Sequence, residues 1–422
     1  MQQDTIAVHA GYNKKEGWGT MNVPIAQTTA FAFRDAEHAA NLFALKELGS
    51  IYTRLTNPTT DVLEQRFAQL EGGAAAICVA SGQSAIFYAI ANVASAGDNI
   101  LISNKLYGGA VTLLTHTIKR FGIEARVFDV SDASNLEEQI DDKTKAIFFE
   151  SLSNPQIAVA DVESIVEIAK RKGVLTVCDN TVASASLFNP IKWGVDVVVH
   201  STSKYTNGQG SAIGGIIVER DGLAEFFKEN ASKYTEFTEP DESYHGLVYV
   251  DVPLPNFCLR IRLALLRDIG AAQSPHNSWI LLQTLETLSL RMEKHSNSTL
   301  EVAKFLESHP KVKAVNYPGL ESNKDYAKAQ KYFKDGKASG LLSFDVESYD
   351  DAKKIIDSAK LFSVVVNIGD SKSLIVHPAS TTHSQLSEEE LLKAGVNPST
   401  IRLSIGLEDP IDLIEDLTQA LS

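Results

Sequence analysis

From residue 74 to 219 short β-rich runs alternate with helical stretches, and that alternation limits the possible folds more than any other feature of this 422-residue chain. Ala76-Ile77-Cys78-Val79 precedes a helical pattern over 83–94, and Ile100-Leu101-Ile102 precedes one over 108–121. Ala125-Arg126-Val127-Phe128 leads into a short one near 134–140, and Ala146-Ile147-Phe148-Phe149 into one over 161–172. Strands over 174–178, 195–199 and 215–218 complete the series. Strands joined through helices give a mostly parallel sheet covered on both faces. Ligands of such sheets lie at the carboxyl ends of the strands. Ser81, Asn154, Asp179 and Lys204 all fall there.

The length is too great for one ordinary core, so two domains are expected. Residues 1–60 hold many turn formers and no long periodic element, which reads as an arm. Residues 61–255 would form the α/β domain, with a mixed linking stretch over 220–275. Residues 256–422 would form a smaller α+β domain. Its pattern predicts one long helix over 279–306, strands near 312–316, 340–346, 362–366 and 401–405, and helices near 350–359, 387–394 and 410–421.

A formal charge of -14 argues against a nucleic-acid binder. No stretch has the apolar length of a membrane span, and the start (Met1-Gln2-Gln3-Asp4) lacks a basic-then-apolar pattern. Cys78, Cys178 and Cys258 are scattered, with no zinc-like spacing, so no metal is expected. Buried thiols in a reducing cytoplasm fit best.

Lys204 follows the apolar strand Val197-Val198-Val199, with His200-Ser201-Thr202-Ser203 between them and glycines beyond. A poorly solvated amine loses basicity and gains nucleophilicity. A second apolar strand, 174–178, ends in Asp179. An amine and a carboxylate on neighbouring strand ends are what pyridoxal phosphate requires. The lysine forms a Schiff base, and the aspartate keeps the pyridine nitrogen protonated. Alone, Asp179 would equally cap a turn. Ser81-Gly82-Gln83-Ser84, between strand and helix, forms a phosphate cup if backbone N–H groups are free there, or a plain capped turn if they are not. Ser201 and Ser203 would add hydroxyls to the same phosphate, or be satisfied by backbone. Tyr107 opens a helix, placed to lie against the cofactor ring or in the core. Tyr52 and Arg54 offer a phenol and a guanidinium to a phosphate, unless both are simply solvated. Arg402, inside the strand Ile401-Arg402-Leu403-Ser404, needs an anion: a substrate carboxylate or an internal acid.

These motifs resemble the Cys/Met-metabolism family of pyridoxal-phosphate enzymes, of fold type I. The resemblance covers nearly the whole length. It rests on Tyr52-Thr53-Arg54, Ser81-Gly82-Gln83-Ser84-Ala85, Tyr107-Gly108-Gly109, Ser153-Asn154-Pro155, Asp179-Asn180-Thr181, Ser201-Thr202-Ser203-Lys204 and Arg402-Leu403-Ser404-Ile405-Gly406. Leu266-Arg267-Asp268-Ile269-Gly270 and Asn367-Ile368-Gly369-Asp370 are similar to the subgroup that transfers sulfur onto O-acetylhomoserine. The γ-lyases of the family commonly carry cysteine where this chain has Gly109, and the family usually has threonine where Ser203 stands.

The resemblance implies a seven-stranded, mostly parallel sheet domain with a smaller C-terminal domain. It implies that pyridoxal 5'-phosphate is covalent on Lys204, which also shuttles protons, with Asp179 at the ring nitrogen and Tyr107 stacked on the ring. Ser81, Gly82, Gln83, Ser201 and Ser203 would bind the phosphate, joined by Tyr52 and Arg54 of a neighbouring subunit. Asn154 would touch the ring substituents, and Arg402, Asn154 and Asn367 the substrate carboxylate. The expected reaction is γ-replacement on O-acetylhomoserine by sulfide, a thiol or a sulfur-carrier protein, in a tetramer of two active dimers. A γ-elimination lyase or a cystathionine synthase of the same family is the alternative.

Overall fold

The computed structural model describes residues 1–15, 19–131, 133–381 and 397–422. The expected helix at 387–394 lies outside the described residues.

The alternating segment forms a seven-stranded sheet of β1 (Ala75–Val79), β2 (Asn99–Ser103), β3 (Glu124–Phe128), β4 (Thr144–Glu150), β5 (Leu175–Asp179), β6 (Val197–His200) and β7 (Gly215–Glu219). Their order is β1-β7-β6-β5-β4-β2-β3. Only β7 is antiparallel to its neighbours, so β1, β4, β5 and β6 all end at one edge. Side chains alternate between two buried layers: Cys78, Phe149, Cys178 and Val198 on one face, Ile77, Phe148, Val177 and Val199 on the other. Burial on both faces is why these strands read as apolar runs.

Short helices fill the N-terminal stretch, α1 (Gln3–His9) and α2 (Ala36–Phe43), before α3 (Pro58–Glu71), which Asn57 caps through the Thr59 N–H. Helix α4 (Gly82–Ala91) follows β1, and Ser81 caps it. The stretch predicted as one helix over 108–121 starts as α5 (Gly108–Thr112), then widens and tightens in turn. Near 134–140 there are only two short 3₁₀ turns. α6 (Val162–Lys172) leads into β5. Phe257, Ile261 and Leu266, just past the proline-rich turn, pack in the core of the large sheet. Among the described residues no helix is long and apolar enough to cross a membrane.

The second sheet holds β8 (Ala314–Asn316), β9 (Leu341–Asp345), β10 (Ser363–Val364), β11 (Leu374–Val376) and β12 (Thr400–Ser404), in the order β10-β11-β12-β9-β8. Strand β11 is too short and too close to polar turns to stand out in the sequence.

One expected helix is two. Pro275–Leu285 and Leu288–Ser308 are separated at Glu286 and Thr287. The physical reason is the Thr284 carbonyl, which accepts from Arg291 Nη2 at 2.8 Å and from the Thr287 N–H at 3.3 Å rather than continuing the helical ladder. Arg291 also donates to the carbonyls of Tyr205 at 2.6 Å and Thr206 at 3.1 Å. The break thus clamps the turn that follows Lys204. Burial alone pushes this guanidinium down to about 10. Replacing it by alanine (Arg291→Ala) would leave the Tyr205 carbonyl without its donor and take one of the donors from each of the Thr206 and Thr284 carbonyls. The expected loss is about 3 kcal/mol in denaturant unfolding, with lower retention of anything bound at Lys204.

Candidate functional site

A cavity of about 370 Å³ opens at the shared strand edge. Ser81, Gly82, Gln83, Tyr107, Asn154, Asp179, Ser201, Ser203, Lys204, Asn367 and Arg402 all line it. Tyr52 and Arg54 do not. They lie apart with Tyr52 exposed, the guanidinium 5.3 Å from the phenol ring centre.

At one end stands the start of α4. A Cβ on Gly82 would lie 2.5 Å from the Cβ of Ser201, so only glycine lets helix and strand ends meet this closely. Ser81 spends its hydroxyl on the cap, accepting from the Ser84 N–H at 3.1 Å. Gln83 Nε2 donates to the Gly109 carbonyl at 2.9 Å. Ser203 closes the glycine loop: its Oγ accepts from the Gly214 N–H at 3.0 Å and donates to the Gly214 carbonyl at 3.3 Å. The free N–H groups at a helix start suit an anion.

Across from it, Asp179 lies at the end of β5, its Oδ1 accepting from the Thr181 N–H at 2.9 Å. Burial raises this carboxyl above the usual aspartate range, opposed by the Thr181 hydrogen bonds and by His200. A cation set on it would be held strongly. Tyr107 stands on the rim. A Cβ on Gly109 would lie 2.5 Å from its ring, so a side chain there would displace the ring.

The third wall comes from the second sheet. Strand alternation puts Ile401 and Leu403 in the core and Arg402 on the other face. Its Nη1 donates to Asn154 Oδ1 at 3.1 Å and its Nη2 to the Asn367 carbonyl at 3.0 Å, while Nε has no partner. No acid neutralises it among the described residues, and burial pushes it down to about 10. Lys204 Nζ donates to Asn367 Oδ1 at 2.6 Å. Burial first, and the Arg402 charge second, hold the amine below the ordinary lysine range. Ile86, Leu152, Val182 and Ile368 supply apolar lining.

The donor set fits a flat phosphorylated aldehyde: N–H groups for the phosphate, an amine for the aldehyde, an acid for a protonated ring nitrogen, and a ring to stack. Beside that space Arg402 remains free for a carboxylate. Sequence reasoning missed Glu150 and Thr181, which line the same cavity. Glu150 looks like the polar stop of an apolar strand, and no signal in the chain singles it out.

The amine supplies a direct test. In cofactor-free protein, acetylation of Lys204 followed against pH should show a midpoint below that of an exposed lysine. Removing the neighbouring charge (Arg402→Leu) should move that midpoint upward. An unchanged midpoint would contradict the electrostatic account.

A model of the Cys/Met metabolism PLP-dependent enzymes matches residues 4–422. The O-acetyl-L-homoserine sulfhydrylase of Leptospira meyeri is 47% identical, over 99% of this chain and 96% of that protein. A crystal structure from Campylobacter jejuni, described as an O-acetylhomoserine (thiol)-lyase and carrying N'-pyridoxyl-lysine-5'-monophosphate, is 55% identical with a TM-score of 0.98, covering all of both chains. The cystathionine γ-lyase of Lactobacillus plantarum, complexed with L-serine, has a TM-score of 0.85 at 28% identity, over all of this chain and 98% of that one.

Proposed function

The chain belongs to the Cys/Met metabolism PLP-dependent enzymes, and on that footing we propose that it replaces the acetoxy group of O-acetyl-L-homoserine with sulfur, releasing acetate and homocysteine. The observation that carries the reading is Arg402: a buried guanidinium with an unpaired Nε, linked to Lys204 through Asn367. An amine that handles the amino end and an unneutralised cation that takes the carboxylate are what an α-amino acid needs. Likeness to the sulfhydrylase relatives supports the γ-leaving group and the sulfur nucleophile.

When bound, pyridoxal phosphate supplies an electron sink for the pair left at Cα. Lys204 holds it covalently, and its depressed basicity suits an amine that must take a proton from Cα and return one. Asp179 keeps the ring nitrogen protonated, and Tyr107 fixes the ring plane. Gly82 and Gln83 present N–H groups to the phosphate, with Ser81, Ser201 and Ser203 around it. Arg402, with Asn154 and Asn367, orients the carboxylate so that the Cα–H faces Lys204. A second proton is taken from Cβ, and the pair left there expels acetate from Cγ with its bonding pair. A sulfide or thiolate then adds at Cγ, and protons are returned to Cβ and Cα. The apolar lining keeps water from that step. Sulfide, an alkanethiol or a sulfur-carrier protein would each deliver the nucleophile.

Because Tyr52 and Arg54 lie outside the cavity of their own chain, we assign them to the phosphate of a neighbouring subunit, within a tetramer of active dimers. Residues 1–60 are then the arm that crosses over, 61–255 the cofactor domain and 256–422 the C-terminal domain. The three buried free thiols fit a reducing cytoplasm.

With sulfide, O-acetylhomoserine should yield homocysteine and acetate. A 2-oxo acid and ammonia dominating with and without sulfide would favour a lyase instead. Arg402→Leu should raise KM and cut kcat/KM on the order of a hundredfold or more. Mixing Arg54→Ala with Lys204→Ala subunits should restore part of the activity in verified hybrids, because one complete site can form. No recovery would remove the shared site.

A further inference from the structure

Glu150 has no part in the reading above, although it is buried in the wall of the same cavity. It ends β4 in register with Asp179 of β5, so the two carboxylates are neighbours on adjacent parallel strands. The charge that bears on Glu150 is that of Asp179, of the same sign, and burial with this neighbour pushes its carboxyl well up. Such a group is costly, and it persists only where its hydrogen bonds are needed.

Both oxygens are in use. Oε1 accepts the Tyr107 backbone N–H at 2.6 Å, and Oε2 accepts the Asn154 N–H at 3.1 Å. Tyr107 is the residue before α5, where no side-chain cap assists it, so Glu150 fixes the backbone from which the rim tyrosine projects. On the other side Asn154 passes the constraint to Arg402 through Oδ1. A carboxyl group, ionised or protonated, keeps a lone pair on each oxygen and can serve two converging N–H donors. A glutamine has one acceptor oxygen and would aim its NH₂ at the other donor, and an aspartate is one methylene too short to reach both.

We propose that Glu150 is a positioning residue that sets the ring of Tyr107 and the Asn154–Arg402 carboxylate clamp from one buried side chain, and so couples cofactor retention to substrate binding. The inference rests on the roles given above to Tyr107, Asn154 and Arg402.

The test uses the full-length protein and Glu150→Gln, close to glutamate in volume. Pyridoxal phosphate is titrated into cofactor-free protein, the visible circular dichroism of the bound form is recorded, and KM and kcat are measured with O-acetylhomoserine and sulfide. Expected are about a tenfold loss of pyridoxal-phosphate affinity, a reduced dichroic band and about a tenfold rise in KM with a smaller change in kcat. If the parent protein itself fails to bind pyridoxal phosphate, the functional reading falls first. If the parent binds it and folded Glu150→Gln matches its affinity, band and KM within about twofold, only the role of Glu150 is overturned. A lower melting temperature with those readouts unchanged likewise overturns it, because a merely structural glutamate would behave so. Should the glutamine variant not fold, Glu150→Asp is measured in the same way, and parent-like values again refute the inference.

Discussion

Two cations, Lys204 and Arg402, share one largely apolar cavity with no acid paired to either among the described residues, and much of the surrounding structure serves to hold that arrangement. Burial depresses the affinity of both for a proton, and the Arg402 charge depresses that of Lys204 further. Asn367 mediates between them, its side-chain oxygen to one and its carbonyl to the other. An electrostatic state of this kind is stable only when its walls cannot rearrange. It also explains why the carboxylate of an amino acid would be drawn to the site, since it supplies the charge that the chain withholds.

The walls are rigid for identifiable reasons. Arg291 clamps the turn after Lys204 through the Tyr205 and Thr206 carbonyls, and takes the Thr284 carbonyl that a continuous helix would have used. Gly82 permits contact between α4 and the end of β6 that any Cβ would prevent. The carboxyl groups of Asp179 and Glu150 lie side by side on adjacent strands of the same cavity wall. Burial raises the affinity of both for a proton, and Asp179 stands where a protonated ring nitrogen would rest.

Much of this was legible in the residues. The strand–helix alternation gave the mostly parallel sheet, because crossover connections leave few other arrangements. Asp179 and Lys204 could be paired because each terminates an apolar run, and strand ends of such sheets converge. Arg402 stood out as a charge within a buried strand. Other features could not be read. Glu150 has the same local appearance as any polar residue closing a strand, and only its register beside Asp179 distinguishes it. Ser203 looks like a phosphate hydroxyl in sequence, yet its Oγ is bonded to Gly214. The helix break at Glu286 and Thr287 depends on a carbonyl taken by a side chain, an event invisible to periodicity.

The residue pattern alone determined which groups would be buried at strand ends, since apolar runs and their terminators are local properties. Tertiary structure decided which of those groups face one another: Arg402 beside Asn154, 248 positions apart, and Glu150 between Tyr107 and Asn154. Contacts of that kind depend on strand order and on how the second sheet packs against the first. No local preference encodes them, because hydrogen-bond partners distant in the chain leave no trace in the spacing of either.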